Sequence, residues 1–222
     1  MGFLNNLRMR TRLLGAFAIT TLITLLIGLL GMNSTSHQAE MISSMYDNQL
    51  IPIQDLSNAN MQALYMSRNL IDYVIQFDPN AIASFKSRMD MRMKNYQGHM
   101  DKYTAADLSP EETALVTQLQ AAWPPYLEAQ AKVFTMADEG YDAEASAAIS
   151  QDALPKFKVI DDTLGALIDL NARQAEEAHL ASTAAYERVR NTILAALAVA
   201  VVLSGALALA ITASVTGPLA QG

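Results

Sequence analysis

The chain has no cysteine, which excludes a disulfide scaffold, a thiolate zinc site, a cysteine nucleophile and covalent haem attachment. It is short of basic residues, with 15 Lys+Arg against 22 Asp+Glu and a net charge of -7. A nucleic-acid binder needs the opposite balance to displace counterions from phosphate. Histidine is scarce too: His37, His99 and His179 lie far apart in sequence. The single Glu-x-x-His, Glu176 to His179, is half of what a di-iron bundle requires, and Arg173, Glu176 and Glu177 can pair among themselves there. There is no glycine-rich phosphate loop, no G-x-S-x-G and no metal-ligand cluster. The sequence therefore predicts neither an enzyme nor a bound cofactor or metal.

Charge is also missing from two long runs. Leu13 to Met32 and Ile193 to Val215 carry none, and each has the roughly 20 residues that a helix needs to cross a bilayer core. The first run is longer than the apolar core of a cleaved signal, and Asn33-Ser34-Thr35-Ser36-His37 is a poor cleavage site, so it reads as an uncleaved anchor. Arg8, Arg10 and Arg12 precede it without an acid, which predicts a cytoplasmic N-terminus at residues 1–12. The expected order is transmembrane helix 13–32, an outside domain at 33–192, transmembrane helix 193–215 and a cytoplasmic tail at 216–222. Arg188 and Arg190 on the outer flank of the second run weigh mildly against this orientation.

Within 33–192, proline and glycine are few and clustered. Breaks at Asp78-Pro79-Asn80, Asp107 to Glu111 and Asp138 to Asp142 make four segments. Ser109, Pro110 and Glu112 form a capping-box signature. Each segment carries an apolar seam at alternating three- and four-residue spacing: Leu56, Ala63, Leu70 and Val74; Met89, Tyr96 and Tyr103; Leu119, Tyr126 and Val133; Ile160, Leu164 and Leu167. That period marks helices packed side by side. The expectation is an all-α, antiparallel up-down four-helix bundle, continuous with two transmembrane helices. Pro52, Pro124-Pro125 and Pro155 should each kink or interrupt a helix, with the last long helix starting near Pro155 and residues 141–150 forming a separate piece or an extension.

The charge pattern singles out the second segment. Residues 81–104 hold five bases and two acids in a domain that is otherwise acidic. Lys86, Asp90 and Lys94 can satisfy one another at i, i+4 spacing, as can Arg68 and Asp72. Arg88 and Arg92 have no acid three or four residues away. They lie at the edge of the apolar stripe, where a guanidinium wants an anion: an acid on a neighbouring helix, a partner subunit or a ligand carboxylate. Tyr65, Tyr96 and Tyr126 bring hydroxyls toward the bundle, and Thr163 stands beside the last seam. Asn60, Ser67 and Asn171 are polar seam residues, either register devices or parts of a pocket.

A basic N-terminus, a span, a four-helix outside domain, a second span and then Thr216-Gly217-Pro218-Leu219 together resemble the N-terminal half of a bacterial methyl-accepting chemotaxis receptor. Pro218-Leu219 resembles the opening of a HAMP linker. Tyr46 to Leu56 resembles the family's helix-one pattern, Arg68 falls where such receptors often carry an arginine, and Ala153-Leu154-Pro155 resembles the step before their last helix. The resemblance implies an inner-membrane homodimer in contact with lipid, its ectodomain periplasmic. It would bind a small molecule and signal through the second span to cytoplasmic proteins beyond this chain. The basic second segment favours an organic acid, a di- or tricarboxylate such as malate or citrate. Arg68, Arg88 and Arg92 would clamp carboxylates, and Tyr65, Tyr96 and Thr163 would supply hydroxyls. Relatives that sense aspartate carry several arginines on the first bundle helix, whereas this one has only Arg68. The competing readings are the sensory half of a histidine kinase or similar sensor, an amino-acid ligand, and an anchored bundle without a ligand.

Overall fold

The computed structural model describes residues 9–76 and 79–219, with side chains except at 9, 10, 12, 79–83 and 213–219. The first eight residues, Phe77 with Asp78, and the last three residues lie outside this description, so Arg8 and part of the first predicted break are not described. Every element is helical: α1 (Met9–Met45), a π-helical segment (Tyr46–Leu50), α2 (Ile51–Val74), α3 (Pro79–Thr104), α4 (Pro110–Asp138), α5 (Asp142–Ala148), a second π-helical segment (Ile149–Ala153) and α6 (Leu154–Leu219). The chain divides into two compact units, Met1–Ser43 with His179–Gly222, and Ser44–Ala178.

The first unit holds the two apolar runs. α1 and α6 are each long and apolar enough to cross a membrane. Leu14, Phe17, Leu22, Leu25, Leu29, Val201, Val202 and Leu209 stand exposed, so nothing in the protein covers them. A shallow groove here is lined from both helices by Thr24, Ile27, Leu197, Ala200, Val201 and Ser204.

The second unit is the bundle of α2, α3, α4 and the first part of α6. Its register can be read from side-chain pairs. Asp55 meets His99 and Gln62 meets Arg92, so α2 and α3 run antiparallel. Tyr96 meets Trp123 and Tyr103 meets Glu112, which sets α3 against α4. Tyr126 packs on Phe157 while Ser109 meets Gln174, which sets α4 against α6. The core is the predicted seam. Leu56, Ala63, Leu70, Leu119, Tyr126, Val133, Ile160, Leu164 and Leu167 are all buried. Burying one such aliphatic side chain stabilises the fold by about 1.5–3 kcal/mol relative to leaving it exposed. Burial on α2 starts at Pro52, whereas Ile42 near the end of α1 is exposed.

The helix ends follow local chemistry. Ser109 Oγ accepts from the Glu112 N–H at 3.2 Å, and Glu112 Oε2 accepts from the Ser109 N–H at 2.8 Å, completing the capping box. α4 ends at Gly140, whose φ of 84° is the left-handed conformation that glycine alone adopts freely. Tyr141 N–H then bonds to the Met136 carbonyl and Gly140 N–H to the Ala137 carbonyl, a Schellman closure.

The prolines behave in two ways. Pro52 cannot donate to the Asn48 carbonyl, and Ile51 just before it bonds to Tyr46, five residues back. Pro155 cannot donate to Gln151, and Leu154 bonds to Ile149. Each proline is thus absorbed by a π-helical widening rather than a break. Pro124-Pro125, expected to kink or interrupt their helix, do not interrupt it: α4 runs through both. The short α5 and the start of α6 at Leu154 match the expected layout.

Candidate functional site

The arginine that the structure places most tellingly is Arg92. Its guanidinium donates to Gln62 Oε1 at 3.0 Å and stacks over the Tyr65 ring, 4.5 Å from the centroid. Its Nε is sealed from solvent without a partner. Among the described residues Arg92 makes no ion pair. A guanidinium has five donors, and here a neutral amide and a ring face stand in for a counter-charge. The stacking is worth about 0.5–1 kcal/mol at a half-exposed site. Tyr65 and Gln62 come from α2 and Arg92 from α3, so antiparallel packing of the two helices assembles the cluster.

The other predicted residues divide. Arg88 lies one turn before Arg92 and is occupied by its own helix, over the Phe85 ring at 4.2 Å. It too forms no ion pair among the described residues. Arg68 is exposed and sits 3.8 Å from Asp72, the local pairing its spacing predicts. Tyr96 is buried, and its hydroxyl accepts from Trp123 Nε1 at 2.8 Å. Burial pushes that phenol up to about 12. Thr163 is buried and donates to the Val159 carbonyl of its own helix at 2.6 Å. The structure therefore brings Tyr65 and Arg92 together and keeps Tyr96 and Thr163 within the core's own hydrogen bonding. Lys86 also departs from its expected pairing: it reaches across to Asp138 at 2.7 Å rather than to Asp90. Asp138 receives the Tyr73 hydroxyl as well. The Lys86 ammonium, followed by that hydroxyl, holds the Asp138 carboxyl below its ordinary value.

Sequence reasoning missed two polar clusters. His99 Nδ1 lies 2.9 Å from Asp55 Oδ1, a pairing of residues 44 positions apart that no periodicity reveals. The second surrounds Glu112. Its Oε1 accepts from the Tyr103 hydroxyl at 2.8 Å, and that hydroxyl accepts from Asn171 Nδ2 at 2.9 Å. Burial pushes the Glu112 carboxyl up, but its hydrogen bonds with Ser109 and Tyr103, helped by the nearby Asn171 amide, prevail and hold it below its usual value. The capping-box signature marked Glu112, and the seam marked Tyr103 and Asn171. Only their convergence was invisible. No group of three or more His, Asp or Glu residues able to hold a metal occurs among the described residues.

A four-helix bundle in one chain with two helices long and apolar enough to cross a membrane is the makeup expected of a sensory module. Comparison with known families agrees. A family model described as a four helix bundle sensory module for signal transduction matches residues 6–186. The chain belongs to this family, the four-helix-bundle sensory modules of methyl-accepting chemotaxis proteins. Neither the curated proteins nor the solved structures include a match to it.

Proposed function

We propose that this chain is the sensory half of a transmembrane chemoreceptor that recognises a small organic acid, a di- or tricarboxylate of the malate or citrate kind. The observation that carries the reading is Arg92. It is held against Tyr65 and Gln62 at the α2–α3 face, without a carboxylate and with an unpartnered Nε. A ligand carboxylate would complete its bonding in the bidentate geometry guanidinium favours. Arg88, one turn away, would take a second carboxylate by leaving the Phe85 ring. Tyr65 would frame the ligand. Arg68 would join only by releasing Asp72.

In this reading the bundle is the periplasmic domain of an inner-membrane homodimer, residues 33–192 lie between spans at 13–32 and 193–215, and residues 216–222 open a HAMP linker. The bound acid favours one position of α6, which carries the state toward a cytoplasmic output domain. Such a ligand transmits only as much free energy as its affinities for the two states differ.

The test is calorimetric titration of the full chain in lipid nanodiscs with di- and tricarboxylates and with amino acids. Saturable binding of a carboxylate that Arg92→Ala abolishes supports the reading. Carboxylate binding that survives in the Arg88→Ala/Arg92→Ala double variant refutes the clamp. Amino-acid binding alone would reassign the ligand class.

A further inference from the structure

The bundle contains a polar cavity, distinct from the Arg92 cluster. It lies where α2 begins, α3 ends and α4 starts, and it encloses about 660 Å³. That is within the range of small-molecule sites, about 300–1,000 Å³. Gln49, Tyr103, Glu112, Asn171 and Gln174 contribute its chemistry. We infer that this cavity binds a small primary amine, its ammonium held by the Glu112 carboxylate and the Gln49 side-chain carbonyl.

Charge is the first argument. The lining holds two acids, Asp107 and Glu112, and no Lys, Arg or His. Glu112 is only 6% exposed, and both hydrogen bonds it receives come from neutral donors, the Tyr103 hydroxyl and the Ser109 N–H. It forms no ion pair among the described residues. Carboxylates buried this far usually have a cation beside them, and this one retains unused lone pairs.

Hydrogen-bonding capacity is the second. Three amide donors of the lining are engaged inside the protein: Asn48 Nδ2 with Ser44 Oγ, Asn171 Nδ2 with Tyr103 and the Leu167 carbonyl, and Gln174 Nε2 with Ser109 Oγ. Gln49 Oε1, by contrast, is a buried acceptor with no partner. The cavity therefore has acceptors to offer an occupant that donates. An ammonium group brings three N–H donors and the missing charge, whereas a carboxylate would bring a further negative charge and no donor.

Position is the third. Gln49 sits in the π-helical segment Tyr46–Leu50 that Pro52 imposes, and π-bulges recur at functional sites. Asn171 and Gln174 lie on α6, the helix that carries the second apolar run. An amine bound here touches that helix directly.

The test uses the full chain in phosphatidylcholine nanodiscs, which offer no primary-amine headgroup. Ethanolamine and putrescine are titrated at constant ionic strength, with tetramethylammonium as a cation lacking N–H donors. Saturable binding of the primary amines without binding of tetramethylammonium is expected. Gln49→Leu should weaken it about tenfold, the loss of one hydrogen bond to a charged group, with the thermal melt unchanged. Glu112→Gln should abolish it. Arg92→Ala should leave it intact, which separates this site from the carboxylate clamp. The absence of saturable amine binding, equal binding of tetramethylammonium, or full affinity in Gln49→Leu would overturn the assignment.

Discussion

Glu112 joins a helix cap to the buried hydrogen bonding of the bundle, and its removal gives the sharpest test of how this end is held. Glu112→Ala deletes the carboxylate that accepts from Ser109 N–H at 2.8 Å and from the Tyr103 hydroxyl at 2.8 Å. The lost half of the capping box costs about 1 kcal/mol. The Tyr103 hydroxyl, on a residue 2% exposed, keeps Asn171 as a donor but loses its own acceptor. A buried donor left unsatisfied costs about 1–3 kcal/mol. Relief of the carboxylate's desolvation offsets part of this, so the net loss should be about 2–3 kcal/mol. At about 2–4 °C per kcal/mol for a chain of this size, the melting temperature should fall by about 5–10 °C. The assay is thermal unfolding of the full chain followed by far-UV circular dichroism. Glu111→Ala is the control: it lies in the same first turn, exposed, and should change stability by no more than about 0.5 kcal/mol. The sign with pH is also fixed. The folded carboxyl lies below its ordinary value of 4.5. Its contribution is therefore complete above 4.5 and is lost as pH falls through the lower folded value. The gap between wild type and Glu112→Ala should close in acid. A Glu112→Ala melt no lower than that of Glu111→Ala, or a gap that widens in acid, would refute the reasoning.

Three further outcomes are expected. Trp123→Phe removes the Nε1–H donor to Tyr96 and part of the ring contact at 4.6 Å, and should cost about 1–2 kcal/mol by denaturant unfolding. Asp138→Asn should destabilise only slightly, because the Lys86 and Asp138 side chains are about half exposed and solvent screens the pair. That small effect should fade with added salt, and below the ordinary aspartate value of 3.8 as the carboxyl protonates. Pro52→Ala restores a donor for the Asn48 carbonyl, so the π-helical turn should revert to α-helix and rotate Tyr46–Leu50. Single cysteines placed along 46–50 in this cysteine-free chain would show the change as a shifted pattern of thiol labelling, and an unchanged pattern would show that packing rather than Pro52 makes the bulge.

Particular residues show how far the sequence reached. The seam from Leu56 to Val74 and those through Tyr96, Tyr126 and Leu164 were legible because a helix buries what recurs every three and four residues, a local rule. Ser109 with Glu112, and Gly140, were legible because caps act within five residues. Pro124 and Pro125 do not interrupt α4. A proline predicts a break from the hydrogen bond it lacks, while Trp123 and Tyr126 on either side are buried and anchor α4 through the defect. Arg92 was marked by what it lacked, a local acid, yet its actual companions, Gln62 and Tyr65, are 30 and 27 residues away.

The sequence by itself determined an all-helical chain, four seams, two apolar runs, the cap at Ser109 and the locally basic α3. These follow from periodicity, run length and charge, all of which operate between neighbours along the chain. Only the tertiary structure decided that Tyr65 and Gln62 would frame Arg92, that Tyr96 and Thr163 would spend their hydroxyls inside the core, that Lys86 would choose Asp138 over Asp90, and that Tyr103, Glu112 and Asn171 would converge beside an unpartnered Gln49. Each of these is a choice among partners brought together by antiparallel register, and register is set by the packing of whole helices rather than by any local stretch of sequence.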